Sequence, residues 1–544
     1  MAQIISNPRE LHPLKTPRGF GADHEAVDTW IANLPLANVG ETCRLVFNFL
    51  VELNTMELPL QQRFRVLELL HRPNHYLSDA LKRHFVGAPF PLSAKTNKAA
   101  ALLQGIQLEA ATGYQSLADE LLNRDNLRQD FTLLATSLHH ALYYLGQGLL
   151  TTYQMYRHAR PGLWRNIHRL YDASERKGLQ ASIVKDLGQG RNQETSIEAQ
   201  YKQILLLALA DPHHLPQADM DQVYALLQQW WAPQCRLYPL HVDEPSDGYI
   251  VDLESDAPPR YLAKNVTPRT ATCRLLDTAA LINTLRGLLP QNPPEFLTQG
   301  PALRSKQSDA QWRTLLQRLL TAWGMTSKRG FSRFQETTGY IELVYGFGAI
   351  HQCLNAPAAL ATENKSSFGH HLAPRADTKR QTSGSSTAAD EGQLYSVTAL
   401  NESAGGACLK WKEASPGKIR VGELLAIRHG HRPGQGWDVA VIRWFKTRSD
   451  RSVEFGIQLL APDAVPVAVR LCNEEESDHD HLKSLYLPPL KATRQPASLI
   501  VPAFLFHVND IVSVKMEHRE LRLRLVKPLE SNRIYSRFQF SPLT

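Results

Sequence analysis

Residues 436–461 read GWDVAVIRWFKTRSDRSVEFGIQLLA. The two apolar stretches, WDVAVIRWFK and VEFGIQLLA, are short, rich in β-branched and aromatic residues, and separated by polar residues, which predicts two strands rather than a helix. The same period of two recurs outward from this pair in TGYIELVYG (338–346), QLYSVTALN (393–401), GACLKW (406–411) and GELLAIRHG (422–430). Short strands at such close spacing, with turn residues between them, predict a small antiparallel barrel.

Residues 356–393 interrupt the strands with Ala, Ser, Thr, Gly and charge, including QTSGSSTAADEGQ. That composition buries too little apolar surface to fold alone and predicts a disordered insertion. Beyond the charged NEEESDHDH, the runs SLIVPAFLF, DIVSVKM, ELRLRLVKPL and YSRFQF predict a β-rich C-terminal extension over 495–544 that completes or flanks the barrel.

Upstream the period changes. In PLQQRFRVLELLH, Leu60, Phe64, Leu67 and Leu70 fall on one helical stripe behind a Pro. Similar stretches run to about residue 235, so 1–236 is expected to be an array of antiparallel helices. Residues 237–324 mix short β-type runs with helical spacing in TAALINTLRGLL and AQWRTLLQRLLTAW, and lead into a barrel over 325–470. The fold expected is multidomain α+β, a large N-terminal all-α helical array followed by a C-terminal antiparallel β-barrel.

Composition narrows the function. At 544 residues the chain exceeds a single core. The net charge of +7, from 60 Lys+Arg against 53 Asp+Glu, is spread along the chain, which fits a nucleotide, an acidic protein or a solvated surface, whereas an extended nucleic-acid groove would leave a denser basic stripe. Six scattered cysteines with no C-x-x-C pair argue against a disulfide framework or a zinc site, and the His pairs lack partners at metal-ligand spacing. No metal or cofactor is expected. No run reaches the roughly 18 apolar residues of a membrane span, and MAQIISNPRELHPLKTPRG lacks a signal-peptide core, so a cytoplasmic location is expected. P-loop, dinucleotide and nucleophile-elbow motifs are all missing, which leaves an enzymatic reading without a residue to carry it.

Two short motifs flank the strands. Arg329-Gly-Phe-Ser-Arg333 is an R-x-x-x-R just before YIELVYG, and Asn401-Glu-Ser403-Ala-Gly405-Gly406 is an N-x-S-x-x-G between YSVTAL and ACLKW. In this order, each beside a strand, they resemble the signature of the PilZ-domain family over residues 325–470. The resemblance implies a bacterial receptor that binds cyclic di-GMP on the barrel, without catalysis, and passes the signal through its helical part or to a protein partner. It also implies that Arg329, Arg333, Asn401, Ser403, Gly405 and Gly406 form the site. Guanidinium groups bridge the O6 and N7 acceptors of guanine and offset phosphate charge. Lys328, Arg375, Arg380 and Arg443 are secondary candidates. The alternative is a scaffold whose barrel keeps the PilZ fold but binds no nucleotide.

Overall fold

The computed structural model describes residues 24–543 apart from 125–129, 187–192, 241–247, 263–270, 291–308, 325–333, 336–338, 356–392, 404, 413–418, 430–435, 449, 451, 473–480, 490–494 and 517–518. Its N-terminal half contains α1 (His24–Ala32), α2 (Val39–Thr55), α3 (Leu60–Lys82), α4 (Ala94–Leu122), α5 (Phe131–Gln154) and α6 (Leu163–Arg176). A hairpin of β1 (Ile183–Asp186) and β2 (Gln193–Ser196) then precedes α7 (Ile197–Leu209) and α8 (Gln217–Leu226).

Local signals set these boundaries. Pro59 directly precedes α3, and Leu60, Leu67 and Leu70 are buried on its stripe. The side chains of Asn38, Ser93 and Ser196 accept the backbone N–H of Glu41, Thr96 and Ala199, capping α2, α4 and α7. In α5 the buried residues occupy every side, so this helix forms the centre around which α4 and α7 pack.

A four-stranded antiparallel sheet follows, made of β3 (Arg236–Pro239), β4 (Tyr249–Asp252), β5 (Arg260–Tyr261) and β6 (Cys273–Asp277) in the order β3-β6-β4-β5. Helices α9 (Ala279–Leu288) and α10 (Asp309–Trp323) lead away from it. The indole N–H of Trp323 donates to the carbonyl of Leu206 at 3.0 Å and ties α10 to α7.

The first barrel comprises β7 (Phe334–Gln335), β8 (Tyr340–Tyr345), α11 (Phe347–Asn355), β9 (Tyr395–Ser403), β10 (Gly406–Trp411), β11 (Leu424–His429), β12 (Asp438–Thr447) and β13 (Val453–Ala461). Six strands close in the order β10-β13-β12-β11-β8-β9, the ring being completed by β9 on β10, and β7 adds to the edge of β9. Helical array followed by antiparallel barrel, the architecture expected from the periodicity, is what the chain forms.

The C-terminal strands do not extend that barrel. β14 (Val465–Leu471), β15 (Leu482–Leu487), β16 (Ser498–Pro502), β17 (Ile511–Met516), β18 (Arg519–Ser531) and β19 (Tyr535–Pro542) close on themselves in the order β14-β15-β16-β19-β18-β17. Val467, Val469, Leu499, Val512, Leu523 and Phe538 pack inside this second barrel. Its first strand lies inside the range expected for the first barrel, because only residues 462–464 separate β13 from β14 and the strand pattern runs on without a marker. The expected insertion at 356–393 falls almost wholly outside the described residues.

The parts share apolar surface. One continuous core runs from the helical array into the first barrel, where Phe445 lies 5.8 Å from Phe90 and 5.5 Å from Tyr156, ring centre to ring centre. Phe90 and Ile419 exchange two backbone hydrogen bonds across this boundary, at 2.9 and 3.0 Å. A second cluster joins Ile350 of α11 and the outward Leu424, Val439 and Val441 of the first barrel to Leu485, Ile500 and Tyr535 of the second. No helix among the described residues is long and apolar enough to cross a membrane.

Candidate functional site

Along β9, Tyr395, Val397 and Ala399 are buried while Ser396, Thr398 and Leu400 are exposed, a regular alternation. It breaks at Leu400. Ala399 is opposite Leu409 and Asn401 is opposite Cys408, so Leu400 is an extra residue with no partner on β10, a β-bulge. Leu409 and Trp411 point into the core, which puts Cys408 on the outer face of β10. Directly opposed residues project to the same side, so the bulge turns Asn401 outward where strict alternation would have buried it.

Ser403 is opposite Gly406, and its Oγ donates to the Gly406 carbonyl at 3.1 Å, closing the turn into β10. Gly406 has to be glycine here. A Cβ would stand 2.0 Å from the carbonyl oxygen of Ile457 on β13. The carbonyl of Gly405 accepts the N–H of Leu459 at 3.0 Å, so both glycines lie against β13. The side chain of Asn401 has no hydrogen-bond partner among the described residues and is available to a ligand.

The strand that follows the other motif in sequence, β7, pairs at this edge. Phe334 is opposite Glu402 and Gln335 opposite Asn401, so the two residues that follow Arg333 in sequence form a strand on the N-x-S segment itself. Arg329, Arg333, Lys328, Arg375 and Arg380 lie outside the described residues. Across the outer face, Asn401, Cys408, Gly456 and Trp444 form one row through β9, β10, β13 and β12. A Cβ at Gly456 would meet the Trp444 indole nitrogen at 1.9 Å, so that ring lies flat over the strand.

Residues 249–360 and 352–466 match the family described as "Cyclic-di-GMP receptor FimW, middle PilZ domain". Residues 249–466 belong to the PilZ-domain family. The PilZ match takes in the four-stranded sheet from β4 onward, α9, α10 and the whole first barrel. Residues 25–241 match "Cyclic-di-GMP receptor FimW, N-terminal domain", and 467–543, which hold nearly all of the second barrel, match "FimW C-terminal beta-barrel domain". A protein named "Cyclic-di-GMP receptor FimW" from Pseudomonas aeruginosa is 27% identical over 556 aligned residues, covering 94% of this chain and 89% of the relative. No solved structure is matched significantly.

Arg443 serves another contact within the PilZ barrel. The register of β12 skips from Ile442 opposite Ile457 to Trp444 opposite Gly456, so Arg443 occupies a second bulge. Its Nε donates to Gln458 Oε1 at 2.8 Å, and its two terminal nitrogens grip both carboxylate oxygens of Glu530 on the second barrel, one at 2.9 Å. Burial opposes the charge of both groups, and their attraction outweighs it, holding Arg443 above and Glu530 below the usual range. Gln458 is itself opposite Gly406, so this ion pair begins one strand away from the N-x-S-x-x-G turn. Sequence reading overlooked Gln335, Gln458 and Glu530. Only Gln335 carried a signal, its position between the arginine motif and the strand after Gly339.

Proposed function

We propose that this protein is a receptor for cyclic di-GMP, which it holds on the outer edge of the PilZ barrel between the R-x-x-x-R segment and the N-x-S-x-x-G turn. The observation that carries this reading is the pairing of β7 with β9. Phe334 is opposite Glu402, and Arg333 is its neighbour in the chain, one Cα–Cα step of about 3.8 Å away. In this reading the R-x-x-x-R segment, next to β7 in sequence, meets Ser403 and Asn401 across the ligand. Two guanidinium groups then supply paired donors to guanine and counter-charge to the phosphates, and Asn401 supplies a free amide from the opposite side. The likeness of almost the whole chain to a protein named as a cyclic di-GMP receptor supports the same conclusion.

The signal leaves through contacts already in place. Ligand at the turn bears on Gly406, then on Gln458, which holds Arg443 against Glu530 of the second barrel. Arg318 of α10 joins the same carboxylate at 3.5 Å, so one ion-pair cluster links the PilZ barrel, the second barrel and the helix ahead of the arginine motif. A ligand that favours one arrangement of this cluster shifts the balance between arrangements.

Calorimetric titration with cyclic di-GMP tests the site. Arg333→Ala or Arg329→Ala is expected to weaken binding by roughly 1–3 kcal/mol, about 5- to 150-fold. Asn401→Ala is expected to weaken it less. Arginine variants that bind as tightly as the wild type would overturn the assignment, and a wild-type protein that folds normally but binds nothing would overturn the receptor reading.

A further inference from the structure

A cavity of about 260 Å³ lies where the helical array, α10, the PilZ barrel and the second barrel converge, and no residue of the N-x-S-x-x-G turn lines it. The amides and hydroxyls in its wall are committed to holding these parts together. Gln217 accepts the N–H of Gly87 at 2.7 Å and donates to the carbonyl of Gln154 at 2.7 Å. Thr314 of α10 accepts the N–H of Ser531 at 3.2 Å, and the Asn532 amide donates to the carbonyl of Gly422 at 3.1 Å. The Thr314 and Asn532 bonds cross from part to part and the Gln217 bonds brace the helical array, so the wall is preformed.

The groups with capacity to spare are cationic. Arg318, Arg420 and Arg533 line the cavity, one each from α10, the PilZ barrel and the second barrel. A guanidinium carries five N–H donors. Arg318 approaches Glu530 at 3.5 Å, and Arg533 is 3.9 Å from Asp219, too far for a hydrogen bond. Arg420 is exposed and has no ion-pair partner among the described residues. Asp219 is the one carboxylate among the lining residues, and burial raises its pKa while Arg533 and Arg318 lower it.

We propose that this cavity is a second anion site that takes a compact phosphate-bearing ligand. Three arginines contributed to one cavity by separate elements match the several oxygens distributed around a phosphate better than the two coplanar oxygens of a carboxylate. Because the three arginines belong to different parts of the molecule, an occupant clamps those parts in their present arrangement. Ligand that binds only this arrangement also stabilises it by mass action.

Inorganic pyrophosphate is a suitable probe, titrated into the full chain in phosphate-free buffer while the melting temperature is followed. A saturable rise is expected for the wild type. Arg420→Ala and Arg533→Ala are expected to shift the midpoint to about tenfold higher pyrophosphate or beyond, in line with loss of a charge-assisted contact. Arg519→Ala, which removes an exposed charge from the far end of β18, is expected to leave the midpoint in place. If Arg533→Ala does not fold, Arg420→Ala decides alone, because Arg420 makes no described ion pair that folding would miss. The proposal is overturned by a wild type that shows no saturable rise, by Arg420→Ala titrating like the wild type, or by Arg519→Ala shifting the midpoint as far as Arg420→Ala does.

Discussion

Arg443 shows how one residue can look like a ligand contact and serve as a fastening. An arginine on a barrel strand near a guanine-binding motif is a reasonable candidate for the base, and only its partner decides otherwise. Glu530 lies on another barrel, 87 positions downstream, where no local pattern reveals the pairing. With side-chain exposures of 26% and 11%, the pair is sheltered enough that removing Arg443 leaves the buried Glu530 with only the more distant Arg318 at 3.5 Å. Arg443→Ala is therefore expected to lower unfolding stability in urea by about 3–5 kcal/mol. In a Glu530→Ala background the same substitution is expected to cost much less, and equal costs in both backgrounds would show that the two groups are not coupled. The glycines and Asn401 were singled out through the resemblance to the PilZ signature. The steric reason for Gly406, a carbonyl of β13 pressed against its Cα, was not legible there.

At the scale of elements, two bulges re-aim side chains of the PilZ barrel. The one at Leu400 turns Asn401 outward and the one at Arg443 aims a guanidinium at the neighbouring barrel, both through one extra residue in an otherwise regular ladder. Alternation in the sequence announced the strands but could not announce where alternation stops, because a bulge is defined by the partner strand. For the same reason VPVAVRL and LKSLYL gave no warning that they belong to a separate barrel, since β14 pairs with β17, more than forty residues on. Strand β7 has two residues and, among the described residues, pairs with β9, so its proposed part in placing the arginine motif is open to a direct test. Proline at both 334 and 335 removes any N–H this strand donates. Such a variant is expected to lose at least about tenfold in cyclic di-GMP affinity. Its thermal unfolding is expected to stay near that of the wild type, because the closed ring does not include β7. Full affinity in the double-proline variant would mean that the arginines are positioned by something else.

At the scale of the molecule, the boundary between helical array and PilZ barrel is a packed interior. His213 sits in it, near His158, Tyr153 and Lys446, and burial together with those positive neighbours pushes its pKa from 6.5 down to about 4. An imidazole that titrates lower in the folded than in the unfolded state stabilises the fold above pH 6.5, and that stabilisation is lost as the pH falls through about 4. Wild-type stability is expected to decline across this window more steeply than that of His213→Gln, and parallel pH profiles would show that the group does not report on the boundary. The double backbone bond between Phe90 and Ile419 has a consequence for synthesis as well. The helices leave the ribosome long before the residues that cover them, so Phe90 and Tyr156 wait with their rings facing water until the barrel emerges. During that interval the nascent chain presents a greasy, unpaired edge of the kind chaperones hold, and the array reaches its final form only when the later half arrives to shield it.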